Sequence, residues 1–205
     1  MSQAITLELS ALCQLFPRPQ IMTGVLREIL IQLFGRENNV DEQDLRQLVW
    51  KEGVRTAILI ESYHAWNPSL IAKRPAIILR RNTYTREPRA IDDRYQGQIT
   101  MESTRTTFWQ GSHTLFCISR SGAQAELLST EVAQALTTFG AAIRDAVNLH
   151  RFGVMEIGGI AELEEVAEHF VVPVTVAYAY QQSWITRPYN MPILKSLSLK
   201  SVLEG

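Results

Sequence analysis

His113 and Cys117 stand four residues apart in the apolar run Thr114 to Ile118, which reads as a strand, so they share one of its faces. Both are zinc ligands, but a structural zinc site takes four, and no other histidine or cysteine lies at ligand spacing. A packed histidine beside a buried thiol is the expectation. Glu162, Glu164, Glu165, Glu168 and His169 offer carboxylates to a divalent cation. A solvated acidic turn or a partner surface accounts for them better. There is no GxSxG elbow, no phosphate-cradling glycine loop and no HExxH. A strand-borne metal-dependent nuclease centre wants a carboxylate two residues before a lysine. Lys51, Lys73, Lys195 and Lys200 supply no such pair within a strand. The expectation is therefore a protein that is not an enzyme, with no catalytic residue, cofactor or metal.

Charge is more informative. Lys73, Arg74, Arg80, Arg81, Arg86, Arg89 and Arg94 outnumber Glu87, Asp92 and Asp93, a local net of +4. The segment Glu156 to Glu168 holds five glutamates and no lysine or arginine. Each alone reads as a solvated surface. Two opposite patches on one small domain also suit head-to-tail packing of identical copies into a ring. The interface residues are then Arg80, Arg81, Arg86, Arg89 and Arg94 on one copy, facing Glu162, Glu164, Glu165 and Glu168 on the next.

The elements that must position these residues centre on Thr106 to His150. After the strand Thr114 to Ile118, Ser121 followed by Gln124 has the capping-box pattern, which predicts a helix N-cap at Ser121. Ala125, Leu128, Val132, Leu136, Phe139, Ile143 and Val147 form one helical stripe, with Gln124, Glu131, Gln134, Thr138, Asp145 and Asn148 opposite. His150 and Arg151 fall in the last turn and Gly153 is the expected stop. One helix of roughly 40 Å follows. Gly140 inside it points to a bend or a close contact. Val172, Val174, Val176 and Tyr178, which with Tyr180 and Trp184 line one face of the strand Val171 to Trp184, are expected to pack with other strand side chains or with the long helix, chiefly through Leu128, Val132, Leu136 and Phe139. Pro173, Thr175, Ala177 and Ala179 line the other, a smooth surface for a helix.

Upstream, Met22, Val25-Leu26, Ile29-Leu30 and Leu33-Phe34 recur every four residues, predicting a helix from Pro19 to Gly35. Arg36 to Gln43 is a polar linker, and Leu45 to Trp50 adds one helical turn. Ala57 to Tyr63 and Pro75 to Arg81 read as strands, as does Val154 to Ile160, where Gly158-Gly159 marks a bulge or a close approach. Thr83 to Arg105 is polar, lacks a period and reads as a long loop. The fold class is α+β: a mainly antiparallel sheet of about five strands packed by one long helix, with an N-terminal helix. All 205 residues form one domain, with an N-terminal helical segment over 1–36, the loop over 83–105 and an extended C-terminal arm over 187–205.

Composition sets the remaining bounds. The chain is 46% hydrophobic with a formal charge of −1, so a bulk electrostatic grip on nucleic acid is not expected. Cys13 and Cys117 lie far apart and are expected reduced, as in the cytoplasm. The N-terminus lacks the pattern of a signal peptide, and no apolar run reaches the 18 or so residues of a membrane span.

Three stretches carry a family likeness. They are Ile58-Leu59-Ile60-Glu61 with Lys73-Arg74-Pro75-Ala76-Ile77-Ile78, Gly111-Ser112-His113-Thr114-Leu115-Phe116 leading into Gly122-Ala123-Gln124-Ala125-Glu126-Leu127-Leu128, and Phe170 to Val176 with Trp184. In order and spacing they resemble tail terminator and neck (head-tail joining) proteins of long-tailed bacteriophages, over about Val40 to Leu197. The resemblance implies a virion structural protein that forms a hexameric ring, caps the completed tail tube and joins it to the head. Its partners would be itself, the tail tube protein and a neck, stopper or connector protein, with DNA passing through the lumen unbound by sequence. It would sit in the virion tail or neck, after assembly in the host cytoplasm. It implies no catalytic residue. The helix Pro19 to Gly35 lies outside it. A stopper or head-completion protein is the nearest alternative, and a small ligand-binding α+β module or enzyme a more distant one.

Overall fold

The computed structural model describes residues 19–53, 56–65, 74–87, 94–96, 103–163 and 168–186. The fold is α+β, with a mixed, mostly antiparallel sheet. Two 17-residue strands form its spine: β5 (Ser103–Ser119) and β8 (Phe170–Thr186) pair antiparallel over their whole length. At about 3.4 Å per residue the ribbon is more than 50 Å long. The path across it is β1 (Leu59–Ser62), β2 (Ala76–Arg81), β5, β8, β6 (Arg151–Ile157). Among the described strands only β1 and β2 pair parallel. Short strands β3 (Thr85–Glu87) and β4 (Arg94–Gln96) pair with β5, and β7 (Ala161–Glu162) pairs with β8.

Among the described residues the sheet therefore has eight strands, not about five. The expected loop over 83–105 contains β3, β4 and the first residues of β5. Its polar composition hid them. Thr83, Thr85 and Thr104 are β-branched and suit extended backbone without giving an apolar period.

Among the described residues three α-helices cover one face. Helix α1 (Pro19–Phe34) buries Met22, Leu26, Leu30 and Phe34, the inner half of its four-residue repeat. The expected single long helix is two: α2 (Gly122–Thr138) and α3 (Gly140–Ala146), separated at Phe139, whose backbone leaves helical geometry at φ −90°, ψ 3°. The apolar stripe continues across the break through buried Leu136, Gly140, Ile143 and Val147. Phe139 is turned outward and is 56% exposed, so it is not part of the core as expected. Nor does Gly153 stop the helix. Asn148 does, at φ 55°, with Asn148 N–H donating to the Asp145 carbonyl at 3.3 Å and Leu149 N–H to that of Arg144 at 2.8 Å, a Schellman end. His150 and Arg151 lie beyond it, and Arg151 opens β6. Ser121 occupies the N-cap of α2 but makes no side-chain cap bond. The buried Ser119 hydroxyl instead accepts from Ser121 N–H at 3.3 Å and donates to Gln124 Oε1 at 2.5 Å.

The main core lies between helices and sheet. Leu26, Leu30, Phe34, Leu128, Val132 and Leu136 meet Ile60, Ile77, Leu79, Leu115, Cys117, Val174, Val176 and Tyr178. The helices thus sit on the large-residue face of β8, as expected for Leu128, Val132 and Leu136, and not on the smooth Thr175–Ala177–Ala179 face. Burying Val, Leu and Tyr removes more apolar area from water than burying Ala and Thr. A smaller cluster, Leu59, Ala76, Ile78, Ile118 and Val171, occupies the opposite face. Glu131, expected on the solvent side of α2, is buried and accepts from the backbone N–H groups of Asp41 at 2.9 Å and Glu42 at 3.2 Å, pinning the linker after α1. The β-bulge of β6 lies between Val154 and Glu156, ahead of the glycine pair. Gly158 is a close approach, since a Cβ there would meet Pro173 Cγ at 2.6 Å.

Candidate functional site

The charged residues singled out above sit at different edges and ends of the ribbon. Arg80 and Arg81 close β2, opposite Thr114 and His113. Arg86 lies in β3 opposite Trp109, and Arg94 in β4 opposite Arg105. Strand alternation separates the first two: Arg81 borders the helix-covered face, Arg80 the open one. Both are exposed, as is Arg86. Arg80 Cζ lies 5.4 Å from the ring centroid of Tyr63, just past β1.

The carboxylates lie across the sheet. Glu162 is in β7 opposite Phe170, which itself pairs with Ser119, at the far end of β5. Glu168 has φ 66° and, like Glu162, is exposed. The register puts Glu162 about 17 Å along the ribbon from the level of Arg80 and about 34 Å from that of Arg86. The structure thus gathers the arginines on the β2 side of β5 and the glutamates on the outer side of β8. Within one copy it does not bring the two sets together. Arg89, Glu164 and Glu165 lie outside the described residues, as do the arm 187–205 and residues 1–18 of the N-terminal segment.

Sequence reasoning missed a buried polar chain. His113 is fully buried on the helix-covered face. Its Nε2 lies 2.8 Å from Thr23 Oγ1 of α1, and its Nδ1 is 3.0 Å from Tyr178 Oη of β8. Tyr178 Oη is in turn hydrogen-bonded to Tyr84 Oη. Gly111 makes room for Tyr84: a Cβ there would lie 2.5 Å from the ring. Burial, and then the charge of Arg81, push the His113 pKa down to about 4, so the ring is neutral at pH 7. Burial pushes Tyr84 up to about 12 against the lowering hydrogen bond from Tyr178, and pushes Tyr178 up as well. A neutral imidazole has one donor and one acceptor, and both are engaged here. His113 therefore has no free lone pair for a metal and no opening toward a substrate. It clasps α1 to the centre of the sheet. Cys117, four residues along the same strand face with Leu115 between, is buried, and burial raises its thiol pKa. The only sequence signal was His113 at an inward strand position. Its partners come from residues 23, 84 and 178, which only the fold brings together.

The open face carries a shallow groove of about 400 Å³ floored by Ser112, Gly153, Ala177 and Ala179. Its one charged lining residue among those described is Arg151. Such a groove holds no acid–base pair. No helix among the described residues is long and apolar enough to cross a membrane. In comparisons with known proteins, no family model and no curated protein matches the chain.

Proposed function

We propose that this chain is a virion structural protein of a tailed phage, the tail terminator, forming a ring that caps the tail tube and joins it to the head. The likeness of strand and helix stretches described above suggests the family. The observation that carries the self-assembling part is the distribution of charge on one sheet. Exposed Arg80, Arg81 and Arg86 outnumber exposed Glu87 on one side of the β5–β8 ribbon, and exposed Glu156, Glu162 and Glu168 outnumber exposed Arg151 on the other. A ring needs two different, complementary surfaces on each copy, because its contacts are head to tail. Two patches that met each other within one copy would not serve. The polar groups that resemble a catalytic set, His113, Tyr178 and Tyr84, tie elements together instead.

Exposed ion pairs contribute about 0–1 kcal/mol each, so charge sets register and apolar contacts must supply most of the affinity. Light scattering on the purified protein tests the ring: a mass near six times 23.2 kDa is expected, and a monomer at all concentrations overturns it. Micrographs of particles lacking the protein test the role. Overlong tails with free ends fit a terminator, whereas full heads that leak DNA point to a stopper.

A further inference from the structure

Five large apolar side chains are exposed among the described residues, and four of them belong to two edges of the sheet. Met155 (71% exposed), Ile157 (47%) and Ile160 lie on and just after β6, the last strand of the path. Tyr63 (40%) lies just after β1, the first strand of the path, under the guanidinium of Arg80. Among the described residues β6 is an end strand of seven residues with no partner on its outer side, and with its exposed apolar side chains it is a template for association.

The register shows how these edges relate. Arg80 pairs with Thr114, Thr114 with Thr175, and Thr175 with Glu156. The next row runs Ser62, Leu79, Leu115, Val174, Ile157. Tyr63 and Arg80 at one edge are therefore level with Glu156 and Ile157 at the other. An aromatic under a cation faces outward on one side. On the other edge Glu156 stands on the open face, between the exposed Met155 in the bulge and the exposed Ile157, which belongs to the row on the helix-covered side.

We propose that these edges meet between copies: the β6 edge of one subunit, through Met155, Ile157 and Glu156, seats on Tyr63 and Arg80 of the next. The occupant of the β6 edge is a second copy of this chain, because the same molecule carries the matching surface at the same level. The apolar part supplies affinity, and Arg80 with Glu156 fixes the register. Because the two surfaces are level, successive copies add side by side, as a ring requires. Glu162 lies too far along β8 to reach Arg80 of a neighbour docked in this way. Glu156 is thus the carboxylate that Arg80 meets. The inference rests on the self-association proposed above and is independent of the role in a tail.

The test is cross-linking in the full chain carrying Cys13→Ser, with buried Cys117 left in place. Tyr63→Cys and Ile157→Cys combined should give, under mild oxidation, a ladder of covalent multiples on a denaturing gel. Either substitution alone should give monomers. Dimers from a single substitution would mean that an edge meets itself, which overturns the proposal. A wild type that assembles while the double variant fails to cross-link also overturns it and leaves the ring standing. A wild type that never assembles overturns both. As a second measurement, Glu156→Arg should raise the concentration needed for assembly about tenfold. Adding Arg80→Glu in the same chain should restore it. Reversal without restoration counts against the pairing.

Discussion

The row Arg81–His113–Val176–Val154 and its neighbour Arg80–Thr114–Thr175–Glu156 are one residue apart and face opposite ways. The first runs under the helices. His113 and Val176 are fully buried there, and the imidazole is fastened to Thr23 and Tyr178. None of the described helices lies over the second. Thr114 and Thr175 are half-buried, and a charge stands at each end. The two rows share backbone, strands and composition class, so neither propensity nor strand position distinguishes them. What differs is which face the helices cover. A buried row must satisfy every polar atom internally, whereas an open row can leave charge at its ends for water or another molecule.

The largest effect expected from this contrast is on packing. Leu136 is fully buried in the stripe that covers the first row. Leu136→Ala should cost about 2–5 kcal/mol, from lost transfer energy plus a residual cavity. Phe139→Ala, three residues on but turned outward, should change stability by only about 0.5 kcal/mol or less. Denaturant melts of both variants check this. Comparable losses would mean that Phe139 packs inward and that the helix runs unbroken.

The second effect is smaller and depends on pH. The pKa of His113 is pushed down to about 4 in the fold, against 6.5 in an open chain. Below 6.5 the unfolded chain binds a proton that the folded chain refuses. The advantage of the neutral clasp is therefore complete above pH 6.5 and is lost as the pH falls toward 4. The depression corresponds to about 3 kcal/mol. His113→Asn should be less stable at pH 7 but should lack this His-linked part of the slope between pH 6.5 and 4. If wild type and variant lose stability in parallel, the imidazole is not held neutral and the first row is wetter than described.

These contrasts show what the sequence made legible. Helix α1 was readable because its apolar pairs repeat every four residues between a proline and a glycine. Strand β8 was readable because valines and tyrosines alternate with small residues. The α+β class followed from both. The break at Phe139 was signalled only by Gly140, because the stripe at spacings of three and four passes equally well through 139 or 140. Ser103 to Arg105, the first residues of β5, were read as loop because they are polar, although the β-branched Thr104 suits a strand. The placement of Arg80, Glu162 and Glu168 on exposed positions was within reach of the sequence. The level pairing of Arg80 with Glu156 was not, because it depends on four strands whose register no local pattern specifies.

The smallest effect tests the open row by itself. Arg80 over the ring of Tyr63 is an exposed cation–π contact at 5.4 Å. Such contacts contribute about 0.5–1 kcal/mol when exposed. A double-mutant cycle on the monomer, with Arg80→Ala, Tyr63→Leu and both together, should give a coupling at the low end of that range. The guanidinium lies on a face that water reaches, so desolvation does little to strengthen it. The same cycle in the assembled protein should give a larger coupling, because a neighbouring copy would exclude water from both groups and bring Glu156 to the cation. Equal coupling in the two states would mean that no second copy covers this end of the row. Arg80 would then be a surface cation stacked on an aromatic ring, and the difference between the two rows would lie in burial alone.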